Sequence, residues 1–99
     1  MSVRPAAECA TMGEIRAGVD DIDRRLVALL AERLDYMNAA ARVKTERSAV
    51  RDEARKSQVI ANVAAEAEKY GLPADYAPTV WETLIEYSIA HELAKFDGK

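Results

Sequence analysis

The sequence predicts an all-α fold: three helices per chain, with a long first helix, in an intertwined homodimer. Three observations carry this. Apolar residues recur in steps of three and four, which is a helical period. No segment alternates apolar and polar residues as a half-buried strand does. The first periodic run is also too long for one compact chain of 99 residues.

That run starts at Thr11, which suits an N-cap, with Glu14 three positions on to complete a capping box. Ile15, Val19, Ile22, Leu26, Leu29, Leu30, Leu34 and Met37 then form an apolar stripe, and Gly18 is the one weak interruption between residues 14 and 47. Roughly 34 residues at about 1.5 Å each span about 50 Å. A globule of this chain length is roughly 35 Å across. A partner chain is the simplest cover for the projecting stripe, and a kink near Gly18 or an earlier end to the helix is the alternative.

The stretch RSAVRDEARK breaks the pattern, and Asp52 is placed to cap a second helix. Val59, Ile60, Val63, Ala64, Ala67 and Tyr70 follow, before Gly71 and Pro73 end it. Asp75 is a candidate cap for the third helix, where Pro78 is tolerable in the first turn. Trp81, Leu84, Ile85, Ile89, Leu93 and Phe96 run along it. Residues 1–11 are expected to be a flexible N-terminal segment and residues 12–99 a single helical domain.

Composition excludes some functions. A net charge of −3 argues against a nucleic-acid binder. No apolar run reaches membrane-spanning length, and MSVRPAAECAT holds no apolar leader core, so a cytoplasmic, membrane-free protein is expected. Cys9 alone forms no disulfide framework, and a single histidine, His91, builds no metal site.

The stretch ERLDYMNAAARVK is less easily explained. Arg33 and Lys44 stand eleven positions apart, about three turns, on one face where the stripe should continue. A buried charge is costly unless paired. Either these side chains snorkel from a helix border, or they line a pocket for a small anion. Arg16 adds a cation about 25 Å along the axis from Arg33 and about 42 Å from Lys44. One small ligand therefore meets Arg16 and Lys44 together only if Arg16 comes from an antiparallel partner. Arg55 opposes the dipole in the first turn of the second helix. Ser88 and Glu92 are polar groups one turn apart on a face of the third helix that otherwise resembles core.

The order EIRAGVDDIDRRLVALLAERLDYMNAAARVK, then VRDEAR, then ETLIEYSIAHEL, resembles the all-helical chorismate mutases and the related isochorismate–pyruvate lyases, over about residues 12–96. The resemblance implies a dimer with two active sites and no cofactor. Arg16 and Arg33 would bind the two substrate carboxylates, one arginine from each protomer. Lys44 would meet the ether oxygen, and Arg55 would line the carboxylate end. Asp52 and Ser88 would contact the substrate hydroxyl or the pocket wall, and residues between Lys44 and Asp52 would form a lid or hinge. Two positions depart from the pattern. Lys56 stands where mutases usually carry a Glu that touches the substrate hydroxyl. Glu92 stands where most members carry a Gln that donates to the ether oxygen, and an ionised Glu cannot donate.

The implied reaction is the rearrangement of chorismate to prephenate, in aromatic amino-acid biosynthesis. It needs no nucleophile or base, only a near-attack geometry and cations that meet charge growing on the ether oxygen. Elimination of pyruvate from isochorismate, in salicylate or siderophore biosynthesis, needs the same cations. A non-enzymatic dimerisation module explains the long helix but not Arg33, Lys44 and Arg55 together.

Overall fold

Three α-helices, α1 (Met12–Val43), α2 (Glu53–Lys69) and α3 (Tyr76–Asp97), make up the computed structural model, which describes residues 3–99. No strand occurs among the described residues. Of the N-terminal segment expected to be flexible, residues 1 and 2 lie outside the described residues. The chain divides into two compact units, Met1–Asp35 and Tyr36–Lys99.

In the first unit, local chemistry sets the start of α1. Thr11 Oγ1 accepts from the Glu14 amide at 3.1 Å. Glu14 Oε1 accepts from the Ala10 amide at 3.1 Å and from the Thr11 hydroxyl at 3.2 Å. This is the expected capping box, with its return bond shifted by one residue. A short 3₁₀ turn, Ala6–Glu8, precedes it, and Arg4 pairs with Glu14. The stripe of α1 is not covered: Met12, Ile15, Val19, Ile22, Leu26, Leu29 and Leu30 are each 41–58% exposed.

The second unit contains the end of α1, all of α2 and α3, and a 3₁₀ turn at Arg47–Ala49. The first helix stops at Val43, so Lys44 lies just past its last turn instead of within a helix running to residue 47. The Lys44 amide still bonds the Ala40 carbonyl at 2.9 Å, which keeps it in helical register. The chain then turns so that Val50 is buried.

Asp52 caps α2 as expected, with Oδ1 accepting from the Arg55 amide at 3.0 Å. At the far end Gly71 adopts φ 72°, the left-handed conformation that glycine enters without strain. Leu72 and Gly71 donate back to Ala67 O at 3.0 Å and Glu68 O at 3.1 Å, which closes the helix as a Schellman motif. Tyr70 is 81% exposed, so the apolar face of α2 ends at Ala67. Asp75 precedes α3, but its side chain makes no capping bond. The Pro73 carbonyl, accepting from the Tyr76 amide at 3.0 Å, starts the turn instead.

Helices α2 and α3 pack together. The buried apolar side chains, Ala41, Val50, Ala67, Ala77 and Ile85, are mostly small. Two polar side chains, Ser88 and Glu92, are buried with them on α3.

Candidate functional site

The side chains that resist a purely structural account gather on α3. Ser88 and Glu92 stand one turn apart and retain only 6% and 4% exposure. They are therefore not solvated border residues. The Ser88 hydroxyl donates to the Leu84 carbonyl at 2.7 Å, a bond a buried serine makes within its own helix. Glu92 accepts from Lys44 Nζ at 2.7 Å. Lys44 retains 30% side-chain exposure, so the pair sits at the edge of the core with the ammonium toward its open side. A lysine ammonium has three hydrogens. One held by Glu92 leaves others for a ligand atom, and fixes where they point.

A second charged group joins the start of α2 to the middle of α3. Arg51 donates to both carboxylate oxygens of Glu86, at 2.7 and 3.1 Å, and to Glu53 at 3.0 Å. Lys56 Nζ donates to Glu82 Oε1 at 2.7 Å and Glu86 Oε2 at 3.0 Å. The Arg51 guanidinium, with help from Lys56, holds the Glu86 carboxyl down at about 2. The same contacts raise Arg51, chiefly through Glu86, and Lys56, chiefly through Glu82. Lys56 thus ties α2 to two carboxylates of α3.

The remaining residues singled out in the sequence are placed as follows. Asp52 spends Oδ1 on the helix cap, and Arg55 donates to Gln58 Oε1 at 2.6 Å from the first turn of α2. Arg16 is exposed and Arg33 half-buried in the first unit, on the same helix. Seventeen positions separate these two arginines, about 25 Å, so one chain does not join them at one small ligand. The structure joins Lys44 to Glu92 directly, with Ser88 a turn away.

Several partners were not legible in the sequence. Arg51 and Glu86 lie 35 positions apart, and no local pattern signals their pairing. Arg47 grips Asp97 through two bonds of 2.8 and 3.2 Å, which raises the arginine and lowers the aspartate from their ordinary values. His91 Nε2 donates to Asn38 Oδ1 at 2.6 Å. Among the described residues no group of three His, Cys, Asp or Glu could hold a metal ion, and no helix is long and apolar enough to cross a membrane.

Comparison with known proteins identifies the family. Residues 15–93 match the chorismate mutase type II family. An isochorismate pyruvate lyase of Pseudomonas aeruginosa is 30% identical over 86 residues, which is 87% of this chain and 85% of that protein. A bifunctional chorismate mutase/prephenate dehydratase of Buchnera aphidicola is 32% identical over 76 residues, 76% of this chain but 20% of that longer protein.

Proposed function

Because the chain belongs to the chorismate mutase type II family, we propose that it is an enzyme that rearranges chorismate to prephenate. The observation that carries the proposal is the Lys44–Glu92 pair, a cation anchored at 2.7 Å to a buried carboxylate. In the rearrangement the ether C–O bond breaks while a C–C bond forms within one molecule, and negative charge grows on the ether oxygen. Lys44 meets that charge, and Glu92 sets the direction of its ammonium. An electrostatic contact fixed in advance costs no reorganisation when the charge appears. Arg33 and Arg16 of the partner subunit hold the two carboxylates, since guanidinium binds carboxylate bidentately. The uncovered stripe on α1 supports pairing of two chains, and pairing in turn supplies the second arginine.

A second reading is elimination of pyruvate from isochorismate. The relative aligned over 85% of its own length bears that name. Lys56 also favours it, because its ammonium is engaged by Glu82 and Glu86 where mutases usually offer a carboxylate to the substrate hydroxyl. Parallel incubation with chorismate and with isochorismate separates the two. Prephenate from chorismate at the higher kcat/KM supports the mutase. Salicylate and pyruvate from isochorismate at the higher kcat/KM assign the lyase, and no turnover of either rejects both.

A further inference from the structure

Helix α1 ends in a way its own sequence does not explain. Where α2 closes on Gly71, α1 runs into Lys44, Thr45 and Glu46, with no glycine to turn the chain back on its carbonyls. The last carbonyls of a helix need donors from elsewhere. Here Lys99 supplies them: its Nζ donates to Ala41 O at 2.8 Å and to Lys44 O at 2.6 Å, across 58 and 55 positions of sequence. A cation is also what the negative end of a helix dipole favours. The same ammonium lies 4.2 Å from the centroid of the Phe96 ring, a cation–π distance that fixes it from below.

Glu92 and Phe96 stand one turn apart near the end of α3, and Lys99 lies two residues past that end, its amide bonded to the Phe96 carbonyl at 3.3 Å. Lys44 is therefore gripped at both ends by this one stretch. Its ammonium is held by the Glu92 carboxylate, and its carbonyl by the Lys99 ammonium. Three residues on, Arg47 is bonded to Asp97 of the same stretch.

We infer that Lys99 is a positioning residue, which sets the direction of Lys44 by latching the end of α1 onto the end of α3. It does not touch the reacting atoms; it acts through Lys44. The inference rests on the proposed role of Lys44, but the latch itself is measurable without substrate.

The test uses Lys99→Met, which keeps most of the aliphatic stem and removes the ammonium, alone and combined with Lys44→Ala. Lys99→Met is expected to lower kcat between about tenfold and a hundredfold, as misplacement of a reacting group does, with KM unchanged and helix content preserved by circular dichroism. In the Lys44→Ala background, adding Lys99→Met is expected to cost nothing further, because the residue it acts through is gone. Amide exchange at Lys44 is expected to speed several-fold in Lys99→Met. A wild-type kcat in Lys99→Met, or losses that multiply in the double variant, would overturn the positioning role. If the wild-type chain turns over neither chorismate nor isochorismate, the proposed function fails first. Amide exchange then decides the latch alone, and unchanged exchange at Lys44 rejects it.

Discussion

At the scale of single residues, the proposed function puts the chemistry on Lys44, with Glu92 as its anchor. Lys44→Ala is expected to lower kcat by on the order of 10² to 10³, the usual cost of removing one fixed donor to a developing oxyanion. A loss confined to KM would show that Lys44 binds only charge already present in the ground state. The same substitution strands the Glu92 carboxylate at 4% exposure. It is therefore expected to cost about 1–3 kcal/mol of stability, and the kinetics belong well below the melting temperature. Glu92→Gln distinguishes two roles for the carboxylate. A glutamine oxygen can still accept from Lys44, and its amide adds hydrogens that an ionised glutamate lacks. We expect the variant to keep or raise kcat at neutral pH. A kcat that falls in Glu92→Gln with KM unchanged would show instead that Lys44 needs a full carboxylate charge beside it.

At the scale of elements, the ion cluster joins the start of α2 to α3. Glu86 is held at about 2, against an ordinary 4.5. A carboxylate with a lowered folded-state pKa stabilises the fold above its unfolded pKa, and loses that contribution as pH falls through the folded value. Glu86→Gln is therefore expected to melt below wild type at pH 7, with the gap narrowing between pH 4.5 and about 2. Thermal unfolding of both chains across that window checks it, and a gap that does not change with pH rejects Glu86 as the source. The cluster also marks what the sequence could reveal. Thr11 with Glu14, Asp52, and Gly71 act on residues within a few positions, so their roles were legible from spacing. Asp75 stands at the N-cap of α3 as expected, but its side chain makes no capping bond, and Pro78, three positions on, has no N–H to give it. The periodic run to residue 47 overshoots the end of α1 at Val43 by about one turn, because Lys99 and the buried Val50 act on the helix end from outside its own sequence. Of the candidate site, the residue types were legible, and the partner of Lys44, 48 positions away, was not.

At the scale of the whole molecule, the proposal requires two chains. Arg16→Ala and Lys44→Ala chains are each expected to be inactive. Mixed under conditions of subunit exchange, they are expected to regain activity, because one pocket of each heterodimer is assembled from intact Arg16 and intact Lys44. Exchange confirmed by mass spectrometry without recovery would remove the cross-protomer assignment. The stripe from Met12 to Leu30 has a consequence for concentration. Under the proposed pairing that apolar surface is covered only when copies meet, so folded-state stability is expected to follow mass action. Activity per chain is then expected to fall on dilution, and the cell's output to rise more steeply than expression of the chain at low abundance.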